Sequence, residues 1–205
     1  KNGFIINLVH ESDPILKTEP SPWDFKNSLG IIRRLDIEND TWYKSGEVVS
    51  DTLDIQDKLK ASDLYDMLIQ HMVYHEGIGL SANQIGIPFK VFSMMVDDKD
   101  VICCFNPKII KESDEQVVLS EGCLSFPSLF LKIRRPEEVW VKYQNADGDE
   151  VNAHFEELAA RIFQHEMDHM NGTVFLDRVS KVFLQSARRK QKILLRKERR
   201  NGRTN

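Results

Sequence analysis

The 205-residue sequence contains few cysteines and no long apolar run. Three cysteines, two of them adjacent as Cys103 and Cys104, cannot form a paired disulfide framework, so the sequence favours a reducing compartment. No apolar segment approaches the roughly 18 residues that a membrane span needs, and the first residues lack the apolar core of a secretory signal. We therefore expect a soluble protein that is neither disulfide-stabilised nor membrane-embedded.

Internal repeats are also absent, and so are low-complexity segments other than a basic C-terminal stretch. Hydrophobic residues make up 41% and charged residues 29% of the chain, which are ordinary globular values and exclude a fibrous or wholly disordered protein. A chain of this length is expected to fold as one elaborated domain.

Charge is unevenly distributed along the chain. Residues 181–205 hold ten Lys or Arg and one acid, Glu198, whereas residues 1–180 carry 18 basic against 31 acidic residues. This division predicts one domain over residues 1–180, which includes an extended N-terminal segment, and a basic helix and tail over residues 181–205. An acidic body with a basic tail is typical of a protein that contacts a polyanion.

The first half of the chain predicts a packed segment and one helix. Residues 20–45 carry too much apolar surface for a free linker, so we expect them to be ordered and packed. Between Asp51 and Glu76, Leu64, Leu68 and Met72 recur at helical spacing. Gly77 follows where a left-handed helix end is expected.

The second half predicts an antiparallel β region between helices. Strands are expected at residues 90–96, 101–105, 117–124, 139–143 and 151–155, with a turn at 145–148. A second helix begins near Glu157 and ends near Gly172, residues 175–176 form a short extended return, and a third, basic helix runs through residues 182–195. The expected fold class is α+β, with antiparallel sheets packed around the central second helix and a helix at the C-terminus.

The second helix carries a His-Glu-x-x-His motif at residues 165–169. In a helix the four-residue spacing places the imidazoles of His165 and His169 on one side, where they can bind one metal ion. Glu166 then lies beside the ion, where its carboxylate can accept a proton from water. Two histidines on a helix face are also compatible with ordinary core packing, so the motif alone leaves both interpretations open.

The usual downstream third ligands for this motif are missing. A third histidine or an aspartate would be needed where the chain has Phe175 and Leu176, and Glu198 lies among basic residues. A third ligand is therefore expected upstream, and Cys123, which follows a glycine, is a candidate. A single cysteine is, however, more often part of the core, which is the interpretation we give to Cys103 and Cys104.

Three segments closely resemble, in the same order, the signature motifs of peptide deformylases: GIGLSANQ at residues 77–84, EGCLS at 121–125 and QHEMDH at 164–169. The resemblance extends over roughly residues 60–195. It implies that residues 1–180 form a single peptide-deformylase-like catalytic domain. The implied enzyme is a metallo-amidohydrolase that removes the N-terminal formyl group, as formate, from formyl-methionine of nascent polypeptides.

The resemblance also assigns roles to individual residues. It implies that Cys123, His165 and His169 hold the metal, typically Fe²⁺, with Zn²⁺, Ni²⁺ or Co²⁺ able to occupy the same place. It supplies the side-chain amide of Gln84 and the backbone N–H of Leu124 as donors to the oxyanion, beside Glu166 as the base. The predicted substrate-binding residues are Ile78, Gly79, Gly122, Leu158 and Ile162.

The sequence departs from the family pattern at two positions near the motifs. Residue 81 is Ser where the usual motif has Ala, and Phe130 stands where many relatives carry a basic residue. The implied partners are a formyl-methionyl nascent peptide and, through the basic tail, the ribosome. We expect a monomer without membrane contact, located in the cytoplasm of a bacterial or phage-infected cell or in an organellar matrix.

Two other functions are compatible with parts of the sequence. A metalloprotease could use the same helix with Cys123 or another third ligand, although Gln84 and the glycine-rich loop before it favour the deformylase. Alternatively, a metal-stabilised protein could bind nucleic acid through the basic tail.

Overall fold

The computed structural model of the chain describes residues 7–25 and 59–201. Within these ranges it has three α-helices and seven strands. The helices are α1 (Ala61–Tyr74), α2 (Glu157–Met170) and α3 (Lys181–Asn201). The strands are β1 (Gly79–Ser81), β2 (Val91–Met95), β3 (Val101–Glu112), β4 (Gln116–Cys123), β5 (Phe126–Pro136), β6 (Glu138–Gln144) and β7 (Glu150–Glu156). Three short 3-10 helices lie at Pro14–Lys17, Ala82–Ile85 and Phe175–Arg178.

The strands form two antiparallel sheets. One has five strands in the order β1-β2-β3-β6-β7, and the other is the hairpin β4-β5. Helix α2 contacts both sheets, and every side chain from Ala160 to Met170 is buried. The predicted fold class, α+β with antiparallel sheets around a central helix and a C-terminal helix, is confirmed.

Three apolar clusters hold these layers together. One joins α1 to the five-stranded sheet through residues such as Leu64, Leu68 and Phe105, and a second lies between that sheet and α2 around Phe163. The third packs the β4-β5 hairpin against the 3-10 helix that contains Phe175. Because α2 contacts β1 and β2 of one sheet and β5 of the other, it lies between the two sheets.

The predicted strands and turn are confirmed, with Gly148 at a φ of 90° in the turn. Strand β5 was not expected, although the alternating burial of Leu129, Leu131 and Ile133 follows the period of two that a strand shows. The expected extended return at residues 175–176 is wrong, since these residues begin a 3-10 helix.

The end of α1 differs from the sequence prediction. Glu76, and not Gly77, adopts the left-handed conformation, with a φ of 55°. Gly77 instead lies close to Leu124, since a Cβ at position 77 would lie 2.6 Å from Cδ1 of Leu124 and would force that side chain to shift. Helix α1 begins at Ala61, and the predicted earlier part at residues 51–58 lies outside the described residues.

Part of the expected packed N-terminal segment is described. Trp23 is buried, and its ring makes edge contacts with Phe89 and Phe105 at centroid distances of 5.3 and 5.6 Å. These contacts anchor residues before Phe25 on the five-stranded sheet. The remainder of the predicted segment, residues 26–45, lies outside the described residues.

Helix α3 packs on the hairpin through one face only. Leu184 and Ala187 contact the third apolar cluster, and the buried Gln191 donates a hydrogen bond of 2.8 Å to the carbonyl of Pro127. The spacing of 184, 187 and 191 defines that face. Four apolar residues of the helix are exposed and do not belong to this face: Val182, Phe183, Ile193 and Leu194. No helix of the described residues is long and apolar enough to cross a membrane.

Candidate metal centre and catalytic site

Helix α2 presents the two histidines of the motif on one face. His165 and His169 are both buried, and their ring centroids lie 5.5 Å apart. This is the separation that one helical turn gives to residues i and i+4. The sequence prediction that the two imidazoles lie side by side is confirmed.

Cys123 is brought to the same point by the end of β4. Its Sγ lies 3.5 Å from Nε2 of His169, and the ligand atoms of Cys123, His165 and His169 all lie within 4.8 Å of one another. Cys123 is half-buried, whereas Cys103 and Cys104 are buried in β3, as expected. The upstream cysteine and the two histidines therefore form one cluster of three potential ligands.

The chemistry around this cluster fits a bound cation. Burial, and then the neighbouring His165, lower the pKa of His169 to about 3, so His169 is neutral and has a lone pair to donate. Burial also acts to lower the pKa of His165, but hydrogen bonds with Cys123 and Glu121 raise it well above its usual value. Positive charge is thus favoured between Cys123 and His165, and a bound metal ion would supply it.

Two buried polar atoms beside the cluster have no hydrogen-bond partner among the described residues. They are Oε2 of Glu166 and Nδ1 of His169. Buried polar atoms are nearly always paired, so an unpaired carboxylate oxygen next to three ligands indicates that a further polar group binds there. A water molecule or a substrate amide would satisfy Glu166 at this position.

Glu121 orients the imidazole ring of His165 through a hydrogen bond with its Nδ1. Its Oε2 lies 3.0 Å from Nδ1 of His165, and Arg135 and Arg161 bind its Oε1 at 2.6 and 2.8 Å. Burial acts to raise the pKa of Glu121, but the hydrogen bonds from Arg135 and His165 hold it well below its usual range. Neither Glu121 nor the two arginines was predicted from the sequence to have a role in the site. The alternation along β5 was an available signal, because it places Arg135 on the same inward face as Ile133.

The amide of Gln84 faces the cluster from the 3-10 helix at Ala82–Ile85. Its Nε2 lies 3.4 Å from Sγ of Cys123 and 3.2 Å from Oγ of Ser125. Leu124 directly follows Cys123, so its backbone N–H is adjacent to the same ligand. Both predicted oxyanion donors therefore lie next to the three potential ligands.

Glu166 lies against β1, beside Gly79. A Cβ at Gly79 would lie 2.9 Å from Cγ2 of Ile162 and closer still to Oε1 of Glu166, so only glycine leaves room for the carboxylate. Burial raises the pKa of Glu166 to about 7, and His165 and a hydrogen bond with Ser81 act to lower it. A carboxylate with a pKa near neutrality can both accept and return a proton.

Comparison with known proteins identifies the family. The polypeptide deformylase family model matches residues 42–184 of the chain. The peptide deformylase of Thermotoga maritima is 44% identical over 115 residues, which cover 56% of this chain and 70% of the relative. The chain belongs to the peptide deformylase family. It is an enzyme, and the predicted family and reaction, removal of the N-terminal formyl group from nascent peptides, are confirmed.

Solved peptide deformylase structures share the fold as well. The crystal structure of the Legionella pneumophila enzyme superposes with a TM-score of 0.71 at 27% identity, covering 96% of this chain and 98% of that one. The Synechococcus elongatus enzyme in complex with actinonin gives a TM-score of 0.70 at 27% identity, covering 94% and 88%. Metal dependence is a property of this family and agrees with the ligand cluster described above.

The predicted substrate-binding residues of this peptide deformylase differ in their surroundings. Gly79 and Ile162 are in contact beside Glu166, and Gly122 precedes Cys123 with the ring of Phe130 against it. Ile78 is exposed immediately before β1. Leu158 is 56% exposed in the first turn of α2, so the structure places Ile162 but not Leu158 in the packed wall of the site.

Proposed function

We propose that this peptide deformylase hydrolyses the formyl group of formyl-methionyl peptides at the cluster formed by Cys123, His165 and His169. The observation that carries this proposal is the convergence of those ligand atoms within 4.8 Å, beside the buried Glu166 and the amide of Gln84. Three protein ligands leave a further position open, which is the arrangement of a catalytic metal site and not of a structural one.

The proposed ion is Fe²⁺, for which Zn²⁺, Ni²⁺ or Co²⁺ can substitute, since all of these accept a ligand set of one thiolate and two imidazoles. When bound, the metal would acidify water and polarise the formyl carbonyl. Glu121 would keep the His165 ring in the orientation that leaves Nε2 available.

The chain's own residues then account for the proton transfers. Glu166, whose pKa is near 7, takes a proton from the attacking water and passes it to the departing amine. The Nε2 of Gln84 and the backbone N–H of Leu124 donate hydrogen bonds to the oxyanion that develops on the formyl oxygen. Formate and the free N-terminus are the products.

An extended peptide can reach this site along β1. Strand β1 is at the edge of the five-stranded sheet, so one side of its backbone is available for pairing with a substrate strand. Gly79 lets the substrate backbone approach Glu166, and Ile162 supplies apolar surface for the methionine side chain.

Formate release from a formylated tripeptide, formyl-Met-Ala-Ser, tests this proposal. The matched controls are the acetylated tripeptide and an internally cleavable peptide, and we expect turnover of the formylated substrate only. Glu166→Gln is expected to retain the metal and lose 10²- to 10⁴-fold in kcat. Activity within a few-fold of the parent at full metal occupancy would show that Glu166 is not the base. Actinonin is expected to inhibit the reaction.

We further propose that α3 binds the ribosome as the nascent chain emerges. The basic side chains of α3 support this proposal. One of them, Arg188, forms an ion pair with Glu11 at 2.8 Å. The proposed contacts to RNA phosphates are Arg188, Arg189, Lys192, Arg196, Arg199 and Arg200. Release of counterions should make the affinity fall steeply with salt.

Co-sedimentation of the full-length chain with bacterial ribosomes tests whether the basic residues of α3 bind the ribosome. Glutamine substitutions at Arg189, Lys192, Arg196 and Arg199 remove four charges without unpacking α3. The matched control replaces four basic residues elsewhere on the surface: Lys99, Lys108, Lys132 and Arg134. We expect the first variant alone to lose salt-sensitive pelleting, and equal pelleting of both variants would contradict ribosome binding by α3.

A cytoplasmic monomer with one catalytic domain over residues 1–180 is the arrangement we propose for this function. Analytical ultracentrifugation at micromolar concentration tests the monomer, and a concentration-dependent dimer would contradict it.

A further inference from the structure

Ser81 is a buried polar residue next to the proposed oxyanion donor. It ends β1 and immediately precedes the 3-10 helix at Ala82–Ile85, which carries Gln84. Its side chain is completely buried, in a segment where the usual family motif has alanine. A buried hydroxyl is retained at little cost only when it is hydrogen-bonded, so the partners of Ser81 indicate what it does.

Two donors of Ser81 hold one end of the Gln84 amide. The backbone N–H of Ser81 lies 2.9 Å from Oε1 of Gln84, and its Oγ lies 3.0 Å from the same oxygen. The other end of the amide, Nε2, consequently points to Cys123 and Ser125. Ser81 therefore fixes which end of the amide faces the site.

The orientation of this amide matters because its two ends have similar shapes and opposite hydrogen-bonding character. With Nε2 toward Cys123, Gln84 offers a donor to negative charge on the substrate. If the amide were flipped, it would offer a carbonyl oxygen, which repels an oxyanion. The hydroxyl of Ser81 opposes that flip by adding a second donor to Oε1.

The same hydroxyl connects Gln84 to the metal-site helix. Oγ of Ser81 lies 2.8 Å from Oδ1 of Asn83, and Nδ2 of Asn83 lies 3.3 Å from the carbonyl oxygen of His169. Asn83 thereby links the 3-10 helix to α2, and the Ser81 hydroxyl contacts Asn83 directly. The hydroxyl has one proton, which the two amide oxygens share, so removing it would weaken the support of both in a buried environment.

We propose that the Ser81 hydroxyl is a positioning group that holds the Gln84 amide with its donor end toward the substrate. This role rests on the proposed function of Gln84 as an oxyanion donor. Loss of the hydroxyl should lower kcat and leave KM nearly unchanged. Because Ser81 also hydrogen-bonds with Glu166, the double-mutant cycle with Gln84→Ala must separate an effect through Gln84 from one through the base.

The test compares Ser81→Ala with Ser93→Ala. Ser93 is equally buried, and its Oγ lies 3.4 Å from the carbonyl of Leu80, so the control removes the same group from a neighbouring position outside the site. We expect Ser81→Ala to lose about tenfold in kcat, less than the loss from deleting an oxyanion donor outright. Ser93→Ala is expected to retain the parent kcat, whatever its effect on Tm.

A double-mutant cycle with Gln84→Ala separates positioning from general destabilisation. If Ser81 acts through Gln84, Ser81→Ala should have no further effect on kcat in the Gln84→Ala background. Equal losses in both backgrounds, or a parent-like kcat for Ser81→Ala, would overturn the inference. Absence of formate release by the parent would instead contradict the proposed function.

A measurement without turnover completes the test. In Ser81→Ala, hydrogen exchange of the Gln84 side-chain amide, followed by NMR, should be faster than in the parent, because Oε1 is held by one donor and not two. Unchanged exchange of this amide would show that the backbone N–H of Ser81 is sufficient, which would also overturn the inference.

Discussion

The carboxylate of Glu121 lies 3.0 Å from Nδ1 of His165 and thereby decides which nitrogen of that ring is free. An ionised carboxylate can only accept a hydrogen bond, so Nδ1 keeps its proton and Nε2 is the nitrogen that a metal ion would bind. Binding there would displace the second proton, which the raised pKa of His165 favours in the metal-free protein. Arg135 binds both oxygens of Glu121, at 2.6 and 2.8 Å, and helps to keep the pKa of Glu121 well below its usual range. The ring orientation should therefore persist into mildly acidic solution.

Glu121→Gln is expected to weaken metal binding by about 10- to 100-fold, the range typical of groups that support a ligand. The neutral amide no longer forces the proton onto Nδ1, and it removes the negative charge between Arg135 and Arg161. Competition with a chelator measures the affinity. Glu112→Gln, an exposed substitution, is the control, and an affinity equal to the parent's would mean that α2 alone orients His165.

Gly79→Ala and Gly122→Ala should differ although both glycines adjoin the site. At Gly79 the new Cβ meets the buried Ile162 at 2.9 Å and the carboxylate of Glu166, neither of which has space to move. At Gly122 it meets the exposed ring of Phe130 at 2.9 Å, which can rotate away. We expect formate release to fall at least 100-fold in the first variant and a few-fold in the second. Similar losses would contradict this account of the two positions.

The histidines and Glu166 were predictable because helical spacing alone places them together on α2. The contacts of the two arginines were not predictable. Alternation along β5 places Arg135 on the inward face, but its contact with Glu121 depends on the pairing of β4 with β5. Arg161 lies on a different element, 40 residues from Glu121 in the sequence. Contacts of this kind depend on packing that local periodicity does not encode. The exposed apolar residues of α3 are a second example, because hydrophobicity did not distinguish Leu184, which packs, from Ile193, which does not.

Cys123 should be the cysteine that reacts with thiol reagents. Cys103 and Cys104 are buried in β3, and burial raises the pKa of both thiols well above the usual value. Mass spectrometry after brief exposure of the metal-free protein to iodoacetamide is expected to find Cys123 alkylated first. Added Zn²⁺ should slow this labelling because a metal-bound thiolate is shielded. Early labelling of Cys103 or Cys104, or no protection by Zn²⁺, would count against the assignment of Cys123 as a ligand.

His71 should make the stability of the protein fall in mild acid. It is buried on α1 with Nδ1 2.6 Å from the carbonyl oxygen of Met67, and burial is the main cause that lowers its pKa from 6.5. In the unfolded chain the imidazole takes up a proton below about pH 6.5, whereas in the folded chain it stays neutral to lower pH. The unfolded state thus binds more protons, and the stabilisation present above pH 6.5 is lost as pH falls toward the folded pKa.

His71→Asn removes this titration while the asparagine amide can still donate to Met67. Urea unfolding of the metal-free parent and variant between pH 8 and pH 5 measures the difference in their free energies of unfolding. That difference should be constant above about pH 7 and should then shift in favour of the variant, by at most about 1.4 kcal/mol per pH unit, because one proton is involved. Groups that do not interact with His71 titrate equally in both proteins and cancel, whereas His75, whose charge acts on His71, contributes a smaller difference. A difference that stays constant down to pH 5 would show that His71 is protonated as readily in the folded chain as in the unfolded one.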